Sequence, residues 1–385
     1  MWRSSKVGFV SAVALKNAHI RAHEARVACE YDLATPEAGD DEGDGSMDQL
    51  EENAWYDVAY PEGDGDEEGD RDVPNFVSAQ LKVGFYSSSC PTAENIVKSV
   101  VKEKFKSDHS ITGALLRLHF HDCGVRGCDA SILIDSDPTN NQTSEKDSNP
   151  NFTVRGYELI DEIKEKLEAN CPSTVSCADI ITLATRDVIA LAGGPKYIIP
   201  TGRRDGHVSN ASEVDLPGPN NSVSEILAFF KTLGLNKNDM VTLLGAHTVG
   251  VVHCFFFQSR VSNFRGTGKP DPTMDPELVT KLFKLCNTST PPTTLDDVPT
   301  TFLDQNTSFI VDNQFYKQIL LKKGVLKIDQ ELALDKLSAP IVSRFAANGN
   351  AFRQSFAKAM IKMGNINVLV GDDGEIRKNC RVFNK

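Results

Sequence analysis

The run Arg117-Leu-His119-Phe-His121-Asp122-Cys123, continuing through Cys128 and Asp129 to Ser131, constrains this chain more than any other stretch. Ile111, Ala114, Leu115 and Leu118 lead into it at helical spacing, so it reads as the end of an amphipathic helix. Arg117 and His121 stand four apart and share one helical face, a fixed cation beside an imidazole. The cysteine pair then closes a short loop flanked by Asp122 and Asp129 and followed by Ser131. An acid/base pair on a helix, abutting an oxygen-rich bridged loop, is a catalytic layout with a calcium site behind it.

Two plainer readings compete. An Arg/His pair on a helix is most often a surface pair, and His119-x-His121-Asp122-Cys123 offers ligands for zinc. Residues two apart on a helix point about 200° apart, so both imidazoles reach one metal only if the segment is a strand. The helical period before it argues otherwise.

Charge divides the chain. Residues 1–79 hold 19 acidic against 6 basic residues, a net of −13, whereas residues 80–385 hold 34 against 35. A nearly neutral globule implies neither a nucleic acid nor an anionic membrane as partner. Residues 31–73 are rich in Asp, Glu and Gly, bury little, and are expected to be disordered. The expected domains are therefore an acidic extension, 1–79, and a globule, 80–385. Arg3 and Lys6 precede an apolar run from Val7 to Leu15, a poor secretory signal, short and followed at once by Lys16. No stretch of 18 apolar residues predicts a membrane span.

Helical periodicity dominates the globule. Ile96, Val97, Val100, Val101 and Phe105 trace one face after Pro91. Further helices are expected over Tyr157 to Leu167, Cys177 to Leu191, Val223 to Leu233, Asn238 to Val249, Pro276 to Leu285, Asn313 to Leu321, Ile341 to Phe345 and Gln354 to Met363. Pro200 to Gly206 reads as a short hairpin. Eight of the nine cysteines fall in the globule, Cys29 in the extension, and an even count points to disulfides in an oxidising compartment. Eight cysteines allow 105 pairings. Sequons at Asn141, Asn210, Asn220, Asn287 and Asn306 suit a secreted glycoprotein.

His247 follows Leu243 and Leu244 on an apolar helical face, where a histidine is usually core. Yet Gly245-Ala246-His247-Thr248-Val249-Gly250 with Cys254, taken with the Arg117–Ser131 segment, closely resembles the plant secretory (class III) haem peroxidases. Five motifs in family order cover 80–385, starting near Gln80-Leu81 and Phe85-Tyr86. Residues 1–79 have no counterpart in that pattern. The resemblance implies a mainly α, two-lobed helical haem peroxidase fold with a very short β element. It implies a peroxidase that reduces hydrogen peroxide and oxidises phenolic or other small aromatic donors in one-electron steps, in cell-wall or lignin-type chemistry and oxidative stress. Secretion to the cell wall or vacuole, as a monomer, goes with it.

Carried over residue by residue, the resemblance makes Arg117, His121 and Asn151 catalytic. His247 becomes the axial ligand of one haem b, with Asp329 polarising it. Two calcium ions are implied. The distal one takes Asp122, Val125, Gly127, Asp129, Ser131 and, through water, Glu145; the proximal one takes Thr248, Asp304, Thr307, Ile310 and Asp312. Pro217 and Phe256 border the donor site. The implied bridges are Cys90–Cys171, Cys123–Cys128, Cys177–Cys380 and Cys254–Cys286, and Asp179 with Arg203 forms a buried ion pair. Gly124 stands where a Phe is common, an expected loss of bulk on the distal side; Val249 and Tyr157 are milder departures. Two rival classes remain: a calcium-bound wall-binding protein without turnover, and a zinc hydrolase built on His119, His121, Asp122 and Cys123.

Overall fold

In a computed structural model of the chain, residues 81–139, 143–287 and 292–385 are described. The expected extension 1–79, Cys29 and the Asn141 sequon lie outside the described residues. The chain divides into two units, residues 1–54 with 292–297 and residues 55–291 with 298–385. Of the first unit only Pro292–Asp297 is described, a turn in which the Thr293 and Thr294 hydroxyls donate to Asp297 Oδ2 at 2.6 and 2.9 Å.

Among the described residues twelve α-helices and one two-stranded sheet are found. The first four build the distal lobe: α1 (Ala93–Ser107), α2 (Ile111–Cys123), α3 (Tyr157–Asn170) and α4 (Cys177–Leu191). Helix α4 is buried nearly all round, its polar Asp179, Thr182, Thr185 and Asp187 included, because it is covered by α1, α2 and α3. Ser176 caps it, accepting from Asp179 N at 3.1 Å. Val97, Val100 and Val101, the inner face of α1, are buried against it, each contributing roughly 1.5–3 kcal/mol.

The proximal lobe holds α5 (Val223–Thr232), α6 (Lys237–Leu244), α7 (Gln258–Ser262), α8 (Pro276–Cys286), α9 (Gln314–Leu320), α10 (Lys327–Leu334) and α11 (Ala339–Ala347). Helix α12 (Gly349–Met363) packs on α6. Tyr316, Phe345, Phe352 and Phe356 form an aromatic core there. Strands β1 (Val251–His253) and β2 (Thr300–Phe302) pair antiparallel, Val251 opposite Phe302. None of the helices among the described residues is long and apolar enough to cross a membrane.

The four expected disulfides are present: Cys90–Cys171, Cys123–Cys128, Cys177–Cys380 and Cys254–Cys286. The third spans 203 residues and ties the C-terminal segment to the start of α4. The buried pair also forms, Arg203 Nη1 donating to Asp179 Oδ1 at 2.8 Å. Tyr86 donates to the other oxygen at 2.6 Å, and Arg203 Nε donates to Gly364 O at 2.7 Å.

Three expectations need correcting. Pro200 to Gly206 is no hairpin: Thr201 bridges to Lys82, Arg204 to Leu369 and Asp205 to Glu375, so its partners are distant in sequence. Helix α6 stops at Leu244, and Gly245–Thr248 is a 3₁₀ turn. A Cβ at Gly245 would stand 2.2 Å from the Tyr316 hydroxyl, so only glycine lets the chain pass there. Gly124 leaves no slack, since a Cβ there would meet Leu216 at 2.7 Å and Phe229 at 3.5 Å. The bulk expected at that position comes from those neighbours.

Candidate active site

Helix α2 carries Arg117 and His121 on the face its spacing requires, with Arg117 Nε donating to His121 Nε2 at 3.2 Å. The guanidinium is fixed by two further bonds, to Thr153 Oγ1 at 2.7 Å and to Pro150 O at 2.8 Å. His121 Nδ1 donates to Asn151 Oδ1 at 2.6 Å, because an amide oxygen only accepts. Asn151 is oriented in turn by donating to Glu145 O at 2.8 Å. This chain of bonds selects the tautomer whose Nε2 carries a lone pair. Burial, then the charge of Arg117, hold His121 down at about 3, against the opposing effect of Asn151. A buried imidazole held neutral, beside a cation, is a proton acceptor at neutral pH. Burial likewise lowers Arg117 to about 10.

His247 enters from the other wall, on the 3₁₀ turn after α6. Its Nδ1 lies 2.8 Å from Asp329 Oδ1, on α10. Burial alone would lower its pKa, but the charge and hydrogen bond of Asp329 prevail and raise it. With Nδ1 engaged, Nε2 is left for a metal ion. Arg117, His121 and His247 line one cavity of about 500 Å³, together with Phe120, Leu243, Leu244, Met360 and Met363. Pro217 and Phe256 line it too. The two walls are registered by a glycine contact, for a Cβ at Gly113 of α2 would meet Gly250 Cα at 2.8 Å.

Both oxygen sets converge. On the distal side Asp122 Oδ1, Ser131 Oγ and both Glu145 carboxylate oxygens are buried without a protein hydrogen-bond partner. Burial, then the charges of Asp129 and Glu145, push Asp122 up; burial pushes Asp129 up and Glu145 to about 8. Acids so placed need a cation or protons. On the proximal side Thr248 Oγ1 lies 3.1 Å from Asp304 Oδ2, 3.2 Å from Asp312 Oδ1 and 3.4 Å from Ile310 O. Thr307 Oγ1 lies 3.2 and 3.1 Å from the same two carboxylates. One hydroxyl proton cannot serve three acceptors, and a cation among them satisfies all.

The zinc set dissolves on geometry. His119 Nε2 lies 3.4 Å from Thr182 Oγ1 across from His121, and Cys123 and Cys128 are spent on each other. Two contributors escape sequence reasoning. Thr153 clamps Arg117, and Arg377 donates to Ala130 O at 2.8 Å and Gly206 O at 2.6 Å beside the distal oxygen set. A lone Thr and an Arg near the C-terminus carry no local signal of either role.

The peroxidase family model matches residues 97–348. Peroxidase 57 of Arabidopsis thaliana is 56% identical over 306 residues, covering 80% of this chain and 93% of its own length. The chain belongs to the plant peroxidase family. Peroxidase 44 of the same plant is 55% identical over 307 residues, with 80% and 94% covered. Peroxidase 5 of Vitis vinifera is 45% identical over 311 residues, with 80% and 93% covered. This peroxidase is thus a hydrogen-peroxide-dependent oxidoreductase of a haem- and calcium-binding family, with the mainly α fold. Its residues fit both groups: a largely apolar cavity is faced by an imidazole whose Nδ1 is engaged and whose Nε2 is left for iron, the distal oxygen set is buried without protein partners, and the proximal set crowds more acceptors around Thr248 than one proton can serve.

Proposed function

We propose that this peroxidase oxidises phenolic and other small aromatic donors in one-electron steps, as a secreted monomer carrying one haem b and two calcium ions. Arg117, His121 and Asn151 act on the distal side, and His247 with Asp329 on the proximal side. The observation that carries the reading is the pair of oriented imidazoles, His121–Asn151 and His247–Asp329, facing one cavity from opposite walls.

Haem, when bound, supplies the iron at which peroxide is reduced and to which donors return electrons. His121 Nε2 takes the proton from one peroxide oxygen and hands it to the other, so that water rather than hydroxide departs. Asn151 keeps that nitrogen basic by holding the proton on Nδ1. Arg117, pinned by Thr153 and Pro150 O, carries its charge to where negative charge develops as the O–O bond breaks. Nε2 of His247 would hold the haem iron, and Asp329, hydrogen-bonded at Nδ1, would strengthen its donation. Asp122 and Thr248, each adjoining one imidazole, let the calcium sets hold both in place. Donors dock at the edge formed by Pro217 and Phe256. Cell-wall polymer chemistry and oxidative-stress defence are the settings that such donors suit.

The test is reconstitution of the full chain with haem and calcium. Haem and calcium per chain are counted by absorbance and elemental analysis, and donor oxidation is followed with and without hydrogen peroxide. One haem, two calcium ions and peroxide-dependent turnover of a methoxyphenol are expected. Haem binding without turnover would favour a wall-binding role and overturn the reading.

A further inference from the structure

The rim of the cavity is a short loop, Leu216–Pro219, leading through Asn220 and Asn221 into α5. Asn220-Asn221-Ser222 is a sequon, so an acceptor for N-linked glycan stands one residue beyond the cavity lining. Asn220 is exposed. Its neighbour folds inward, Asn221 Oδ1 accepting from Gly218 N at 2.8 Å, whereas Ser222 caps α5. The loop cannot swing away from the mouth, because α10 grips it twice. Ile328 N donates to Pro219 O at 3.2 Å, and Lys327 Nζ donates to Asn220 O at 2.9 Å.

The other described sequons differ. Asn151 is buried and engaged with His121. Asn210 uses its side-chain oxygen to accept from Ser212 N and Oγ, both at 3.0 Å. In the sequon of Asn306, Ser308 Oγ is bound to Asp304 O at 2.7 Å, much as Ser222 Oγ is to Glu225 Oε2 at 2.8 Å, so what sets Asn220 apart is its place at the rim. Neither Asn210 nor Asn306 nor Asn287 lies in or next in sequence to the cavity lining.

From this we infer that Asn220 is a glycan-bearing gate: a glycan rooted there, at a loop fixed against the cavity rim, limits the size of aromatic donor that reaches the interior. Small phenols pass beside it, and bulky or polymer-borne phenols are partly excluded. The inference rests on the secreted peroxidase reading above. A mobile glycan leaves the mouth open only part of the time. An open fraction of about 0.1–0.3 lowers apparent affinity for bulky donors by roughly threefold to tenfold.

The full chain, secreted from plant cells, is compared with Asn220→Gln. Glycopeptide mass spectrometry reads occupancy, and kcat/KM is measured for a small methoxyphenol and for the same phenol coupled to a dextran. The expected result is a glycan on Asn220, equal rates with the small donor, and a rise of roughly threefold to tenfold with the bulky donor in the variant. Trimming the wild-type glycan with an endoglycosidase should give the same rise without a substitution. An unmodified Asn220 in a chain glycosylated at Asn210 or Asn287 overturns the gate and leaves the secreted peroxidase reading intact. Equal bulky-donor rates with Asn220 occupied overturn it as well. Loss of small-donor oxidation from the wild type would instead sink the underlying reading, and the gate with it.

Discussion

Removing calcium should make stability depend on pH in a way the loaded protein does not. In the metal-free fold Glu145 is raised from 4.5 to about 8, chiefly by burial, while in the unfolded chain it ionises near its ordinary value. Between those limits the folded state holds a proton that the unfolded state has lost. Stability is therefore full at low pH and falls as pH rises towards about 8. The slope for one such group is about 1.4 kcal/mol per pH unit, and the whole rise corresponds to at most about 5 kcal/mol. Asp122 and Asp129 are raised as well and add to the slope. Bound calcium takes the place of those protons and removes the dependence. Urea unfolding of chelator-stripped and calcium-loaded protein, with disulfides intact, should give free energies that diverge steadily from about pH 5 to about pH 8. Glu145→Gln should remove roughly one proton's share of the slope from the stripped protein. Parallel stability curves for the two forms, or an unchanged slope in the variant, would refute the reasoning.

His247→Ala should lose the axial ligand and most bound haem, seen as a collapsed Soret band after reconstitution; full haem content with normal turnover would contradict the proximal assignment. Asn151→Leu removes a buried 2.6 Å bond and frees His121 to change tautomer, so the reaction with peroxide should slow by roughly 10- to 100-fold while haem content stays normal. Asp179→Ala leaves Arg203 buried without its partner and should cost about 3–5 kcal/mol in urea unfolding, with little change in rates for the protein that remains folded.

The helical scaffold is legible in the sequence because its signal is local. Cys177–Leu191 can be read to the residue, since a mostly apolar run begins at a serine cap and ends before Gly193-Gly194. Helix α10 is not legible: Lys327–Leu334 is eight residues long with polar residues mixed through it, and packing rather than periodicity makes it a helix. Asp329 is nonetheless found, by resemblance rather than by pattern. The 3₁₀ turn under His247 reads as a continuing α-helix because the crowding of Gly245 by Tyr316, far along the chain, is invisible locally. Likewise Pro200 to Gly206 has strand-like pairing whose partners lie at Lys82, Leu369 and Glu375. Arg117 and His121 are legible as a pair from spacing alone. Their clamp, Thr153 and Pro150 O, is not, because it arrives from a separate loop.

The central claim is that His121 moves the proton that lets the O–O bond break, and it is tested most directly by rapid mixing of haem-loaded His121→Leu with hydrogen peroxide. Leucine keeps the cavity filled and leaves Arg117 in place, so only the proton acceptor is lost. The account predicts a normal Soret band and a first spectral change slowed by roughly 10²- to 10⁴-fold relative to wild type. A rate within a few-fold of wild type, with the same haem content, would contradict it.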